Sequence, residues 1–167
     1  MRIYRKRYIM RGKSMIPELT REGLLPRGVH ETTLEEVRHR FGVGNPLRSR
    51  LMKGLEAVAA LARKLGVREI YLDGSFVTDK RDPGDWDAVV VAPVETNCAS
   101  REVLRLVDRP RVKREFGGDL FLILEDDGEL LNHYVNGVFV KDHLGRAKGI
   151  VRIRLVMKED GDGTDQG

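Results

Sequence analysis

Two aspartates separated by one residue, Asp85 and Asp87, open the run DWDAVVVAP and could together hold a divalent cation. Side chains alternate between the two faces of a strand, so both carboxylates would point the same way, with Cα atoms roughly 6 to 7 Å apart. Trp86 would then point to the opposite face. Carboxylates this close repel each other unless protons or a cation compensate, and Mg²⁺ takes oxygen ligands and shares its coordination sphere with phosphates. The spacing therefore predicts a site for Mg²⁺ or Mn²⁺.

A glycine and a serine, Gly74 and Ser75, follow the preceding apolar stretch, REIYLDG. A glycine at this turn lets backbone N–H groups approach a phosphate, and the serine hydroxyl can donate a further hydrogen bond. We therefore predict a triphosphate between Ser75 and the two aspartates. Lys80 and Arg81, in the loop between them, either neutralise further phosphate charge or belong to a solvated loop.

The elements that must position these residues are strands interleaved with helices. Alternating and continuously apolar patterns predict four strands: residues 69–73, Asp85 or Asp87 to Ala92, GGDLFLILED with its two leading glycines Gly117 and Gly118, and GIVRIRLVM. The last of these strands is expected to be exposed on one face or to lie at an edge of the sheet. Helical periodicity with caps predicts helices in HETTLEEVRHRFG, from Pro46 to Gly66, from Ser100 to about Val107 and within 129–141. Residues 15–30 read as an irregular arm and Arg109–Glu115 as a basic connection. The predicted fold class is α+β, a mixed sheet flanked by helices.

The order strand, Gly-Ser, short gap and Asp-x-Asp resembles the DNA polymerase beta type nucleotidyltransferase superfamily over residues 68–124. The phrases LPRGVHETTLEE, YLDGSFVTDKRDPGDWD, FGGDL and KGIVRI are also similar to a small prokaryotic family of that superfamily. The resemblance implies the nucleotidyltransferase fold. It also implies metal-dependent transfer of a nucleoside monophosphate from a nucleoside triphosphate, with pyrophosphate leaving. Asp73 departs from the superfamily pattern, which more often has an apolar residue at that place.

The resemblance further implies a third carboxylate on a neighbouring strand, where it holds the catalytic metal. Asp119 is the candidate, since it opens DLFLILED directly after Gly117 and Gly118. The alternative for Asp119 is a turn-forming residue beside two glycines. If Asp119 is not the ligand, Glu125 is the next choice.

The positive charge of the chain is concentrated at its start. Residues 1–13 hold six Lys or Arg and no acid, and without them 24 basic and 26 acidic residues remain. The segment is either a phosphate-contacting tail or a disordered extension upstream of a start at Met15. The expected organisation is a basic flexible extension at 1–14, one nucleotidyltransferase-like domain at 15–157 and a disordered acidic tail at 158–167.

Three functions remain open from the sequence. The first is a nucleotidyltransferase whose acceptor is a hydroxyl of RNA or protein. The second is a nucleotidyltransferase-like component of a toxin–antitoxin or defence pair that acts mainly by binding a partner protein. The third is a nucleic-acid binder that depends on residues 1–13. Cys98 is the single cysteine and no apolar stretch reaches the roughly 18 residues of a membrane span, so we expect a cytoplasmic protein without membrane contact.

Overall fold

The computed structural model describes residues 15–156, and the predictions on the basic extension at 1–14 and the acidic tail at 158–167 lie outside the described residues. Five strands form one mixed sheet. They are β1 Val29–Thr33, β2 Glu69–Asp73, β3 Trp86–Ala92, β4 Gly118–Leu124 and β5 Ile150–Arg154. Their order across the sheet is β1-β5-β2-β3-β4. The α+β class and the mixed sheet flanked by helices are confirmed.

The pairing directions set which strand ends meet. Strand β2 runs antiparallel to both β3 and β5, whereas β1 is parallel to β5 and β3 is parallel to β4. The end of β2 therefore meets the starts of β3 and β4 at one edge of the sheet. This edge is where the sequence places Gly74, Ser75 and the aspartates.

The helices begin and end at recognisable caps. They are α1 Leu34–Phe41, α2 Pro46–Lys64, α3 Arg101–Val107, α4 Arg109–Phe116 and α5 Gly128–Asn132, the last followed by a π-helical turn at His133–Val138. The side chains of Thr33, Asn45 and Ser100 accept hydrogen bonds from backbone N–H groups in the first turns of α1, α2 and α3. None of the helices in residues 15–156 combines the length and apolarity needed to cross a bilayer.

Helices cover the two faces of the sheet unequally. On one face, Ile70, Leu72 and Ala88 pack in the main core with apolar residues of α1, α2 and α4, such as Val37, Leu55 and Val112. On the other face, Tyr71, Val89 and Ile123 pack against Val135 and Phe139, which lie within and just after the π-helical turn. The strand residues of the second face are continuous with the row that carries Asp73, Asp87 and Asp119.

Two parts of the secondary-structure prediction are wrong. The predicted irregular arm ends in a strand, β1, because its backbone pairs with β5 although VHETT carries few apolar residues. The predicted basic connection Arg109–Glu115 is helix α4, which buries Val112 and Phe116. Of the two alternatives for the last strand, β5, exposure on one face is confirmed by Arg152 and Arg154, whereas an edge position is excluded because β5 lies between β1 and β2.

Candidate metal centre

Three carboxylates converge at the edge of the sheet where β3 and β4 begin. One oxygen from each of Asp85, Asp87 and Asp119 lies within 4.8 Å of the other two. All three side chains are partly exposed. The group offers only oxygen donors, which is the donor set that Mg²⁺ and Mn²⁺ prefer.

Strand register brings the three together. Asp87 and Asp119 are paired residues of the parallel strands β3 and β4, and Asp85 precedes β3 by one residue. Between the two aspartates, Trp86 is fully buried, and its indole N–H donates to the Leu51 backbone carbonyl at 3.2 Å. Gly118 is paired with Trp86, and any side chain at Gly118 would collide with the indole ring. The buried indole thus fixes the outward direction of its two acidic neighbours.

Two cations of α4 contact the triad. The Lys113 ammonium donates to Asp119 Oδ2 at 2.8 Å and also contacts Asp85 Oδ2. The Arg109 guanidinium lies 3.5 Å from Asp119 Oδ1, and its Cζ atom lies 4.6 Å from the centre of the Phe121 ring. Arg109 and Lys113 are one helical turn apart on α4, so both reach the same edge of the sheet.

The electrostatics of the triad are uneven. Burial raises the pKa of Asp87 to about 6, and the neighbouring charges of Asp85 and Asp119 add to that rise, while Lys113 and Arg109 oppose it. Burial by itself would lower the pKa of Lys113, but its hydrogen bonds to Asp119 and Asp85, and their charges, raise that pKa above its ordinary value. Within residues 15–156, no hydrogen bond or ion pair reaches the Asp87 carboxylate. Asp87 is therefore the carboxylate with the most to gain from a bound cation.

The turn after β2 brings the backbone against Asp87. Gly74 has a φ of 90°, and a Cβ there would lie 2.9 Å from the Asp87 backbone nitrogen and 3.0 Å from its Oδ2. Such a conformation and such a close approach are open to glycine alone. The Ser75 hydroxyl accepts from the Gly84 N–H at 3.0 Å and lies 3.4 Å from the Asp85 carbonyl oxygen. Ser75 therefore ties the turn to the residues that lead into Asp85.

A buried arginine of α2 holds the loop that follows. The Arg48 guanidinium donates to the carbonyl oxygens of Phe41, Phe76, Thr78 and Lys80. The side chain of Asn45, the cap residue of α2, donates to the Arg81 carbonyl oxygen at 2.6 Å. The first turns of α2 thus fix the backbone of the loop between Gly74-Ser75 and the aspartates.

A cavity of about 320 Å³ lies between Gly74, Ser75 and Asp87. Its charged lining is mixed. The basic side chains are Lys80, Lys141, His143, Arg146 and Lys148, and the acidic ones are Glu22, Asp73, Asp79, Asp87 and Asp142. Lys148 is only 6% exposed, contacts the buried carboxylate of Asp73 and donates to the Phe139 carbonyl oxygen at 2.9 Å. Burial lowers the pKa of Lys148 to about 8, so the ammonium remains charged at neutral pH opposite Asp73. The lining therefore has mixed charge, and two of its cations are paired within it, Lys148 with Asp73 and Arg146 with Asp142.

The structure brings most of the predicted site residues together. Asp85, Asp87 and Asp119 form the triad, while Gly74, Ser75 and Lys80 line the cavity with Asp87. Arg81 is exposed and is not part of that lining. Glu125 lies beyond the far end of β4, where it accepts from the Val94 N–H at 3.4 Å. Of the two candidates for the third carboxylate, only Asp119 reaches the triad.

Sequence reasoning missed the cations around the site. The sequence pattern places Lys113 and Arg109 in a connecting segment, although Pro110 in the first turn and Gly117 after the last turn are ordinary helix boundary signals. Lys148 lies 75 residues from its partner Asp73, so no local pattern indicates their contact. Glu22 and Gly23 also line the cavity from the segment before β1.

Fold and site together define an α+β protein in which an acidic triad lies at one edge of a five-stranded mixed sheet. Residues 17–154 match the sequence model of a protein family described as "Family of unknown function (DUF6932)", and the chain belongs to this family. No curated protein and no solved structure matches the chain.

Proposed function

We propose that the protein is a Mg²⁺-dependent nucleotidyltransferase that moves a nucleoside monophosphate from a nucleoside triphosphate to an acceptor hydroxyl. The observation that carries this proposal is the convergence of Asp85, Asp87 and Asp119 within 4.8 Å, beside a cavity that begins at Gly74 and Ser75. We also propose that the chain belongs to the DNA polymerase beta type superfamily and has the nucleotidyltransferase fold. It is supported by the order in which β2, Gly74-Ser75, the Asp-x-Asp pair and Asp119 meet at one edge of the sheet.

The donor set suits the ion that the resemblance implies. Three partly buried carboxylates repel one another, and the raised pKa of Asp87 expresses that repulsion together with burial. Asp85, Asp87 and Asp119 would hold Mg²⁺ or Mn²⁺. The bound ion would supply charge neutralisation at the reacting phosphate.

The chain's own residues would bind and orient the triphosphate. Gly74 allows the phosphates to approach the backbone, and Lys80 and Lys141 line the same cavity with positive charge. The acceptor hydroxyl would lose its proton to the Asp119 carboxylate or to solvent, and its oxygen would form a bond to the α-phosphorus. The bond from that phosphorus to the bridging oxygen would break, which releases pyrophosphate. Catalysis would rest on fixed positions and charge complementarity.

A second, shallower cavity of about 580 Å³ offers a path for the acceptor. It is lined by Asp119, Lys113, Arg109 and Pro110 among others, and it does not share its lining with the Gly74-Ser75 cavity. Asp119 is thus the triad member that an acceptor would meet in this second cavity. RNA and protein hydroxyls are the acceptor classes that we propose.

The proposal is tested without knowing the acceptor. Binding of an α,β-methylene analogue of each nucleoside triphosphate is measured by calorimetry with Mg²⁺ and with EDTA. We expect binding that requires Mg²⁺, that is lost in Asp87→Asn and that is unchanged in Asp126→Asn, which removes an exposed acid beyond β4. Absence of metal-dependent binding for every nucleotide would contradict the proposal, and tight association with a neighbouring gene product would then favour the partner-binding alternative. Transfer of label from each α-labelled triphosphate to RNA or protein follows as the second measurement.

A further inference from the structure

We propose that Lys113 serves as a resident cation of the metal centre, so that the triad holds one divalent ion rather than two. The inference rests on the proposed function, because it concerns the same three carboxylates. It adds a residue outside the predicted motif and fixes the metal stoichiometry.

The contacts of Lys113 are those of a bridging cation. Its ammonium bonds one oxygen of Asp119, at 2.8 Å, and contacts one oxygen of Asp85. In a two-ion site, a divalent ion that bridges two carboxylates neutralises their mutual repulsion. Lys113 already does this for Asp85 and Asp119, and it leaves both oxygens of Asp87 without an ion pair in the described part of the chain.

An ion bound at Asp87 would lie beside a different cavity from the one that Lys113 lines. Asp87 lines the cavity that contains Gly74 and Ser75, whereas Lys113 lines the shallow cavity together with Asp119. An ion can therefore reach Asp87 from the cavity beside Gly74 and Ser75 while Lys113 keeps its contacts with the other two carboxylates.

The charges of the site favour a single ion. Lys113 and Arg109 leave the three carboxylates with a net charge of about minus one. One divalent ion then gives the group the same net charge that two divalent ions would give three carboxylates without side-chain cations. A second divalent ion would have to bind against Lys113 and Arg109 at close range.

Helix α4 holds Lys113 in place. The Asp108 side chain accepts from the Arg111 N–H at 3.1 Å at the start of the helix, and Gly117 ends it with a φ of 85°. Val112 and Phe116 are buried against the core. The Lys113 side chain itself is 43% exposed, so its replacement leaves no buried cavity.

The test counts the ions bound by the metal-free protein. Equilibrium dialysis against Mn²⁺, read by electron paramagnetic resonance, is applied to the wild type, Lys113→Met and Arg114→Met. The last variant removes an exposed positive charge from the next position of the same helix. We expect one Mn²⁺ per chain in the wild type and in Arg114→Met, and two in Lys113→Met. Lys113→Gln should also bind two, which covers the case in which the methionine variant does not fold.

Two ions in the wild type would overturn the inference and leave the proposed function standing. One ion in the Lys113 variants, held more tightly than in the wild type, would mean that Lys113 competes with the ion instead of sharing the site with it, which also overturns the inference. No bound Mn²⁺ in any variant would contradict both the inference and the proposed function.

Discussion

Asp87 and Asp119 are paired residues on the parallel strands β3 and β4. Paired residues of neighbouring strands lie about 4.8 Å apart and point to the same face, so the backbone of the sheet, rather than a flexible loop, sets the separation of these carboxylates. Lys113 neutralises Asp119 from one side, whereas Asp87 faces the cavity next to Gly74. The two acids are therefore neighbours in the sheet, but only Asp119 is neutralised by a nearby cation.

Metal affinity should depend on pH through Asp87. Its pKa is raised to about 6 by burial and by the charges of Asp85 and Asp119, so a proton competes with the ion below that pH. We expect Mn²⁺ affinity to be nearly constant above about pH 7 and to fall about tenfold per unit below about pH 6, with one proton released per ion. Calorimetry in buffers of different ionisation enthalpy measures both quantities. Equal affinities at pH 5 and pH 7 would contradict the assignment.

Stability without metal should follow the opposite trend with pH. Because the folded-state pKa of Asp87 is raised above its usual 3.8, the folded protein binds this proton more tightly than the unfolded chain does. The contribution of this group to stability is complete below about pH 4 and is lost as the pH rises through about 6. Asp87→Asn should therefore raise the melting temperature in EDTA at pH 7.5 by about 2 to 4 °C. Asp126→Asn is the matched control, and an unchanged or lower melting temperature in Asp87→Asn would refute the prediction.

Gly74→Ala should weaken Mn²⁺ binding, whereas Gly84→Ala should leave it unchanged. The added Cβ would press on the backbone nitrogen and the carboxylate of Asp87, and the φ of 90° disfavours alanine. We expect Mn²⁺ affinity to fall at least about tenfold, or about 1.4 kcal/mol. Gly84→Ala, in the same loop, is the control, because nothing lies within 4 Å of the Cβ it would add. Equal affinities in the two variants would show that the approach of Gly74 to Asp87 is not needed for binding.

Arg48→Met should destabilise the loop between Gly74-Ser75 and the aspartates. It leaves four backbone carbonyl oxygens without their guanidinium partner. We expect the free energy of unfolding to fall by about 3 kcal/mol or more, measured by urea denaturation. Arg50→Met, at an exposed position of the same helix, should change it by less than about 0.5 kcal/mol. A similar decrease in the free energy of unfolding in both variants would show that the four carbonyl contacts of Arg48 do not stabilise the loop.

Local patterns were sufficient for the central part of the site. Strand β2 has the predicted bounds, Glu69–Asp73, and the alternation of Asp85, Trp86 and Asp87 predicted which side chains share a face. These predictions hold because a glycine turn, an alternating strand start and a continuous apolar run each act over a few residues. Asp119 was reached only through the resemblance, and the pairing of β3 with β4 brings it beside Asp87.

Long-range pairing explains what could not be predicted. Strand β1 has little apolar character and exists as a strand because β5, more than a hundred residues later, pairs with it. The segment RPRVKRE carries one apolar side chain among charged ones, so its helical periodicity is weak, and packing against α2 and α3 decides its structure. Asp73 departs from the superfamily pattern, and the lysine that compensates its buried charge lies at the other end of the described chain.

The order β1-β5-β2-β3-β4 has a consequence for the time at which the site can form during synthesis. Strand β2 is synthesised with one side open, and that side closes only when β5 arrives. Lys148, which contacts Asp73 and lines the cavity beside Gly74 and Ser75, is synthesised immediately before β5. A nascent chain that has emerged only as far as β4 already carries all three carboxylates but lacks the lysine that neutralises Asp73. The completed cavity beside Gly74 and Ser75 is therefore expected only after residues 148–154 have left the ribosome.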